Sequence, residues 1–526
     1  MSNGLNSIKI KSESSSSYKD DENSYGKKDV WKLLLQVSLP ALMMLTFNAM
    51  NDVTDALIAA HMIPNNIDFV LSTGLSSDVV TQSVVSASAY DSNLMYIAIA
   101  IITTVSVGSE VKYSRLLSKG KVDEAKQLIG TSITSTFLIS FITFVTLFGL
   151  TEELVTLLNG GSNSAADELT IKMASDYIRI ELTWIFFFAM TDLLVKFLRI
   201  EGKSLTVSLI ASLTLPVNIL FDLIFLGPVG ISLYGCGLGS LFGEIVSFLT
   251  LLIYIIYLRG KQETNILSSN IEYKPSKNVL FATLVIAAPI FISSIIQSVN
   301  SFAITSFATS LTAPSSVTST TSIADNQFFS TSIAIFTEIN AMMFLVIAGV
   351  SQSFCSIIAY NYTQKKYDRA KKITLYSLLY MIIFMLFFQL IFQLLMPQLF
   401  WLWSIGDWPR EGINFSRVLT VKTFLLGISY IFMSYYIAID KRKNAYFNLF
   451  ISSVIVFYIV VPVSFAVLKD NNSTGYLIWA SSPTISELIS ITILAPIFYV
   501  NLRNIANERQ KINILESNFV NKLKIK

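Results

Sequence analysis

The feature that most constrains this chain is the alternation of long apolar segments with short polar ones from residue 30 onward. Twelve such segments have about the 20 apolar residues that a helix needs to cross the hydrocarbon core of a bilayer. They are Val30–His61, Asn93–Leu117, Ala125–Leu150, Ile171–Leu198, Leu205–Leu226, Ile231–Tyr257, Val279–Leu311, Phe328–Tyr360, Ile373–Leu399, Phe415–Ile439, Ala445–Leu468 and Tyr476–Val500. Only 14% of the 526 residues are charged and 53% are apolar, which excludes a soluble domain. We predict an all-α polytopic membrane protein with twelve transmembrane helices.

Basic residues predict the orientation of these helices. If the amino-terminal tail lies in the cytoplasm, about 32 of the 38 Lys and Arg residues fall on the cytoplasmic side, as the positive-inside rule requires. The opposite loops 62–92 and 312–327 contain no Lys or Arg. We therefore expect a multi-pass protein of the plasma membrane with both termini in the cytoplasm. The net charge of +3 is too balanced to indicate a nucleic-acid partner.

An internal repeat divides the chain into two halves. The pattern Lys-Val-Asp-Glu-Ala-Lys at 121–126 recurs as Lys-Tyr-Asp-Arg-Ala-Lys at 366–371, and Pro40 and Asn51 have counterparts in Pro289 and Asn300. Because six is an even number of crossings, both halves enter from the same side, so we predict two six-helix bundles related by a pseudo-two-fold axis along the membrane normal. The expected divisions are a disordered cytoplasmic tail (1–29), the first bundle (30–258), a cytoplasmic linker (259–278), the second bundle (279–503) and a cytoplasmic tail (504–526).

Carboxylates within the apolar segments are few, and each costs at least about 2.5–3.5 kcal/mol at the bilayer centre. Asp52 and Asp55 lie in the first segment together with Asn48 and Asn51, and Asp222 lies in the fifth segment one turn after Asn218. Oxygen ligands of this kind suit a proton or a hard cation such as sodium. The alternative is that these carboxylates only bond to neighbouring hydroxyls and amides.

The internal repeat helps to decide between these two interpretations of the carboxylates. Asp55 aligns with Ile304, and Asp222 aligns with Pro462, so the carboxylates belong to the first half alone. A purely structural requirement is more consistent with carboxylates in both halves. The asymmetry therefore favours cation coupling in the first half.

Other chemistries are not supported by the sequence. With two cysteines and one histidine the chain cannot build a disulfide framework or a His/Cys metal cluster. The string Gly202-Lys203-Ser204 lacks the upstream glycine of a phosphate-binding loop. No nucleophile with a base and an orienting partner is identifiable. We expect neither an enzyme nor a cofactor.

Several strings, in order, resemble the signatures of one family. They are Asn51-Asp52-Val53-Thr54-Asp55 after Pro40, Ser114-Arg115-Leu116 with Gly120, Leu198-Arg199-Ile200-Glu201-Gly202-Lys203, Asn218-Ile219-Leu220-Phe221-Asp222, Tyr360-Asn361-Tyr362, and Gly475-Tyr476-Leu477-Ile478-Trp479 with Pro483. Their order and spacing resemble those of the multidrug and toxic compound extrusion (MATE) transporters, most closely the branch related to DNA-damage-inducible protein F. The resemblance covers about residues 30–503.

The resemblance implies two bundles around a central cleft and export of small organic, mostly cationic compounds driven by inward H⁺ or Na⁺. By motif, it implies coupling residues at Asp55, Asn218, Asp222 and Ser240, with Asn51 beside them and a possible Na⁺ at the first three. The sequence departs from the family at Asp52, where asparagine is usual, and around Gln297 and Asn300, where other branches have an acid.

Substrate contacts are expected from aromatic and methionine side chains through cation–π and dispersion interactions. The candidate cleft residues are Phe302, Met342, Met343, Tyr430, Met433 and, as a deep acid of the second half, Glu338. Glu487 is the other deep acid; either acid can contact a cationic substrate or pair with a hydroxyl or Arg417. Two competing functions are a lipid or lipid-linked-precursor flippase of the same superfamily and, in a different class, an ion channel. We expect a monomer.

Overall fold

The computed structural model describes residues 24–159, 164–268, 271, 273–311, 325–402, 408–468 and 474–524, and these residues are almost entirely helical. The helices of the first half are α1 (Ser24–Lys27), α2 (Val30–Met62), α3 (Ile67–Thr73), α4 (Ser77–Ser118), α5 (Val122–Asn159), α6 (Ala165–Leu198), α7 (Ser204–Ala211), α8 (Thr214–Leu226) and α9 (Tyr234–Gly260). Those of the second half are α10 (Lys277–Thr309), α11 (Asp325–Thr363), α12 (Tyr367–Leu402), α13 (Arg410–Ala438), α14 (Arg442–Phe450), α15 (Val456–Leu468), α16 (Gly475–Ala480) and α17 (Ser482–Lys524). π-helical turns at Arg199–Lys203 and Ile451–Ile455 join α6 to α7 and α14 to α15.

The helices cross the membrane twelve times. Within the described residues, eleven continuous helical stretches are long and apolar enough to span a bilayer, and one of them runs from Ala165 to Leu226. A straight helix of these 62 residues is about 93 Å long, about three times the hydrocarbon thickness. It bends at the first π-helical turn, where Gly202 has φ 88°, and so makes two crossings. The predicted twelve-helix, two-bundle fold is confirmed.

The outer segment 62–92, expected as a loop, is largely helical. It contains α3 and the first four turns of α4, with Val80, Val84 and Ala87 fully buried. These side chains are spaced three and four residues apart and therefore share one helix face. This face packs in the core, although many of the residues next to it in the sequence are polar. The other outer segment, 312–327, lies mostly outside the described residues.

The amino-terminal tail differs from expectation at its end. Residues 1–23 lie outside the described residues, but α1 is helical, and the side chain of Tyr25 is 1% exposed. The Asp29 carboxylate caps α2 by accepting hydrogen bonds from the backbone N–H groups of Trp31 and Lys32 at 3.1 and 3.3 Å. The segment predicted to be disordered up to residue 29 is therefore packed from residue 25.

The two halves share one core at one end of the molecule and have separate cores at the other. We call the shared end, which carries the basic turns at 119–121 and 440–443, the inner end. Its core continues from Leu33 and Phe197 of the first half to Phe354 and Tyr435 of the second. At the outer end, one cluster surrounds Leu182 in the first half and another surrounds Phe329 in the second.

Close contacts between helices of the two halves hold the halves together. A Cβ on Gly108 of α4 would lie 2.1 Å from the backbone oxygen of Thr283 in α10, and a Cβ on Gly349 of α11 would lie 2.3 Å from a methyl group of Leu45 in α2. The Ser114 hydroxyl donates to the Ser356 carbonyl at 2.7 Å. Only a residue without a side chain fits at 108, so the halves meet there in direct helix contact.

A cavity of about 140 Å³ lies between the halves. The first half contributes residues from α2, α4 and α6 to α9, and the second half contributes α10 and α11. On the outer side, the Ser92 hydroxyl of α4 lies 3.5 Å from a carboxyl oxygen of Glu338 in α11. Contacts between the halves therefore exist on both sides of the cavity.

Candidate functional site: a buried carboxyl–amide cluster beside the cavity

Ser240 of α9 is the centre of a polar cluster in the first half. Its hydroxyl donates to Asp55 Oδ2 at 2.9 Å and accepts from the amide groups of Asn51 at 3.1 Å and Asn218 at 3.0 Å. The hydroxyl thus makes every hydrogen bond of which it is capable. The Tyr177 hydroxyl of α6 donates to the same Asp55 oxygen at 3.3 Å. Four helices, α2, α6, α8 and α9, meet at this cluster.

Asp222 of α8 completes the cluster. Its carboxyl group is fully buried, and its charge interacts with that of the Asp55 carboxyl. Neither of its oxygens has a hydrogen-bond donor from the described residues. A Cβ on Gly239 would lie 2.0 Å from Asp222 Oδ1, so glycine at 239 makes room for this carboxyl group.

Glycines bring α8 and α9 close enough for this arrangement. One turn from Gly239, a Cβ on Gly243 would lie 2.7 Å from the Thr214 carbonyl. This small-residue pair brings the backbones into contact, as such pairs do between membrane helices. Pro216 lies in the first turn of α8, where its missing N–H removes no hydrogen bond. It therefore does not loosen the helix at Asn218.

The cluster presents more oxygen acceptors than its donors satisfy. Asp55 Oδ1, Asn51 Oδ1, Asn218 Oδ1 and both oxygens of Asp222 are buried without a hydrogen-bond donor from the described residues. Two adjacent carboxylates repel each other unless a proton or a cation lies between them. Within the described part of the chain no three His, Cys, Asp or Glu residues are grouped as metal ligands. The chemistry of the free oxygens fits a proton or Na⁺.

Asp52 is not part of the Ser240 network. Its side chain is partly exposed, and its charge interacts with Asp55 and with Glu338 of the second half. Asp91 of α4 is 4% exposed, and its charge interacts with the same three carboxyl groups. Asp52 therefore connects the buried cluster to the acidic group on the outer side of the cavity.

Most of the predicted cleft residues do not line the cavity. Phe302 is 66% exposed on the outside of its bundle, and Met343, Tyr430 and Met433 are at most 3% exposed within the core; Met342 packs against this core. The cavity instead has Tyr96, Phe188, Phe291, Phe344 and Met44 among its lining residues. Phe302 follows the lining residue Ser301 by one position, or about 100° around the helix, and residue type alone does not reveal this phase.

Basic groups on the cavity wall have partners. The Lys196 ammonium donates to Asp192 at 2.8 Å and to the Ser106 hydroxyl at 2.9 Å. The Arg199 guanidinium is 2% exposed and donates to the Ser353 hydroxyl of the second half at 3.0 Å. Glu110, fully buried, interacts with the charges of both cations. The other deep acid of the second half, Glu487, accepts a hydrogen bond from Ser429 rather than from Arg417.

Sequence reasoning missed Tyr177 and Gly239. Tyr177 is one of 22 tyrosines, and nothing in the sequence indicates that its hydroxyl reaches Asp55. The spacing of Gly239 and Gly243 in the sequence predicts only close packing of two helices. The second role of Gly239, making room for Asp222, depends on the close approach of α8 and α9. The clustering of glycines in α9 was the signal available in the sequence.

The comparisons with known proteins agree with this architecture. Two six-crossing halves around a central cavity, with a buried carboxyl cluster in one half, form an arrangement that is common among secondary transporters. A family model described as MatE matches residues 57–224. Multidrug export protein MepA of Staphylococcus haemolyticus is 24% identical over 404 residues, which cover 76% of this chain and 81% of that protein.

A second relative and a solved structure extend the match. Multidrug export protein MepA of Staphylococcus saprophyticus is 22% identical over 74% of this chain and 78% of its own length. A structure described as the outward-facing conformation of a multidrug resistance MATE family transporter of the MOP superfamily has a TM-score of 0.74 at 15% identity, over 93% of this chain and 98% of that chain. The chain is thus similar in sequence to these multidrug export proteins and in fold to a MATE family transporter. Its membership of the MATE family, and of a branch within it, stays a prediction.

Proposed function

We propose that the chain is a secondary active antiporter that exports small organic, cationic and amphipathic compounds in exchange for inward H⁺ or Na⁺ by alternating access. We further propose that it acts as a monomer in the plasma membrane with both termini in the cytoplasm, within the domain limits predicted from the sequence. The relatives are multidrug export proteins, which supports the substrate class.

The observation that carries the proposal is the cluster of unsatisfied oxygens around Ser240. Its two carboxyl groups, Asp55 and Asp222, are 1% and 0% exposed, and no Lys or Arg donates to either in the described residues. A buried negative charge without a partner is costly, so the cluster takes up a proton or Na⁺ whenever water reaches it. Uptake from the outside and release to the inside then couples the ion gradient to the conformation.

The cavity indicates that substrate binding requires a conformational change. Its volume of about 140 Å³ is below the roughly 300–1,000 Å³ of pockets that hold drug-sized ligands. The halves must therefore separate on one side to admit a substrate. Helix α2 connects this movement to the ion cluster, because Met44, Leu45 and Asn48 line the cavity while Asn51 and Asp55 belong to the cluster.

The membrane potential limits the stoichiometry. Each positive charge moved across it is worth about 2.3 kcal/mol per 100 mV. A one-for-one exchange with a monovalent cationic substrate moves no net charge and gains nothing from the potential. Export against a gradient then requires more than one ion per substrate or a steep ion gradient.

The two competing functions fit the site less well. A flippase for phosphate-bearing lipids needs basic side chains free to hold the phosphate, whereas Lys196 already binds Asp192 and Ser106. An ion channel needs a continuous polar path, whereas Gly108 brings α4 and α10 of the two halves into direct contact at the inner end.

Purified protein in vesicles tests the proposal. Uptake of a fluorescent organic cation is measured under an imposed sodium gradient and, separately, an imposed pH gradient. We expect uphill transport with one of the two gradients, and at least a tenfold loss in Asp55→Asn and in Asp222→Asn because the cluster then loses the charge that recruits the ion.

A matched control is Glu487→Gln, which neutralises an equally buried carboxyl group outside the cluster, in the second half. We expect this variant to retain ion-driven transport. Retained uphill uptake in both aspartate variants would overturn the site assignment, and uptake that persists without any ion gradient would overturn antiport itself.

A further inference from the structure

Residues 24–28 lie across the boundary between the two halves at the inner end, outside the membrane-spanning segments. On the side of the first half, the Tyr25 hydroxyl donates to the backbone carbonyl of Arg199 at 3.1 Å. This carbonyl belongs to the π-helical turn where α6 bends into α7. The bond therefore joins the amino-terminal segment to the residue whose guanidinium lines the floor of the cavity.

On the side of the second half, the same segment is held through its backbone. Asn361 of α11 donates to the Tyr25 carbonyl at 3.0 Å, and Arg369 of α12 donates to the carbonyls of Tyr25 at 3.2 Å and Lys28 at 2.6 Å. The Lys366 ammonium donates to the Gly26 carbonyl at 3.1 Å. These donors satisfy the backbone carbonyl groups of a segment that has only one turn of helix of its own.

The Tyr25 side chain is held between the halves by packing as well. Its ring is 1% exposed and meets the ring of Tyr360 in α11 edge-on, with the centroids 5.8 Å apart. Burial, together with the nearby Glu110 carboxylate, raises the pKa of the Tyr25 phenol above its ordinary value. The hydroxyl therefore keeps its proton and remains a donor to Arg199 at every physiological pH.

These contacts depend on the separation of the inner ends. Protein hydrogen bonds span about 2.7–3.2 Å between donor and acceptor, and the segment reaches the end of α6 on one side and α11 and α12 on the other. A few ångströms of opening between α6 and α11 break either the bond to Arg199 or those to Asn361 and Arg369. The Arg199–Ser353 bond, which joins the halves directly, lies next to the segment and breaks with it.

We propose that the inner ends of α6, α11 and α12 form a binding site for the chain's own residues 24–28, and that this segment acts as a latch that stabilises the conformation closed at the inner end. Its loss shifts the population toward conformations open at that end. The apparent affinity for a substrate rises in proportion to the population of the conformation that binds it. Loss of the latch therefore also lowers the concentration of substrate needed at the inner face. The latch itself requires no particular ion or substrate.

Spin labels on paired cysteines measure the opening directly. Asp123→Cys of the first half and Asp368→Cys of the second lie at equivalent, exposed positions of the repeat near the inner end, and the native cysteines Cys236 and Cys355 are buried. Electron–electron distance measurements then give the fraction of molecules with separated inner ends. They are made on the full-length chain in lipid nanodiscs, without substrate.

We expect Tyr25→Ala to raise the fraction of long distances at least threefold over the otherwise unchanged chain. Tyr25→Phe, which loses only the bond to Arg199, and Asn361→Ala, which acts from the opposite side, are expected to give smaller increases in the same direction. Lys28→Ala is the matched control, since its exposed side chain bonds only to Gln36 and its carbonyl contact to Arg369 is kept.

Unchanged distance distributions in Tyr25→Ala and Asn361→Ala would overturn the latch, as would an equal shift in Lys28→Ala. If Tyr25→Ala does not yield a monodisperse protein, Tyr25→Phe and Asn361→Ala decide the question. These measurements do not involve transport, so the latch can fail while the antiport proposal stands, and the reverse.

Discussion

A single hydroxyl group organises the carboxyl–amide cluster. Ser240 joins Asn51 of α2, Asn218 of α8 and Asp55 of α2 with one donated and two accepted hydrogen bonds. Replacement by alanine leaves two buried amide groups without an acceptor and removes one of the two donors to Asp55. Interhelical hydrogen bonds of this kind are worth about 0.6 kcal/mol on average in membranes and up to about 1.7.

We expect Ser240→Ala to reduce ion-driven uptake at least tenfold and to lower the thermal unfolding midpoint, whereas Ser240→Thr, which keeps the hydroxyl, retains both. Vesicle uptake and fluorescence-monitored unfolding measure the two effects. Alanine and threonine variants that behave alike would contradict a role for the hydroxyl.

The residue scale also shows what sequence can and cannot predict of the site. Asp55, Asn218, Asp222 and Ser240 were predicted from burial cost and motif, and the structure brings them together, although their role in coupling stays a prediction. Phe302 was placed in the cleft because of its chemistry, but the helix phase turns it outward. The cost of burying a charge identifies a residue that needs a partner. It does not identify the direction in which an apolar side chain points.

At the scale of elements, apolar length predicts the crossings because the hydrocarbon thickness is fixed. It does not predict helix outside the bilayer, which is why the outer turns of α4 were missed. Apolar length also does not show where two membrane crossings are joined without a loop. The bend between α6 and α7 depends on the positive φ of Gly202, a conformation that disfavours any residue with a Cβ.

The contact between α4 and α10 provides an element-scale test. In Gly108→Ala the new Cβ meets the Thr283 carbonyl, a backbone atom that cannot rotate away. We expect the inner ends to be held apart and the paired labels at 123 and 368 to report at least a twofold larger fraction of long distances. Gly149→Ala in α5 is the control, because nothing lies within 4 Å of a Cβ at that position. Equal distributions in the two variants would show that the helices adjust instead.

At the scale of the whole molecule, the proposed alternating access requires the two halves to separate on the outer side as well. Ser92 of α4 and Glu338 of α11 approach to 3.5 Å there. We expect the double variant Ser92→Cys, Glu338→Cys, treated with a short bifunctional thiol reagent, to lose at least nine-tenths of its transport and to recover when the cross-link is reduced.

The two single-cysteine variants control for the loss of each side chain and for reaction at the buried native cysteines. Mass spectrometry measures the extent of cross-linking, and vesicle uptake measures transport. Full activity of a cross-linked protein would show that the outer ends move without separating at this pair.

Helix α2 carries Asn51 and Asp55 of the carboxyl–amide cluster, part of the cavity wall at Met44 and Leu45, and, through the stacking of Trp31 on Tyr380, a contact with the opposite bundle. Under the proposed antiport, a substitution in α2 that changes which compounds are exported therefore also changes the coupling to the ion gradient. Helices α10 and α11 line the same cavity without contributing to the cluster, so substitutions there change substrate range with less effect on coupling.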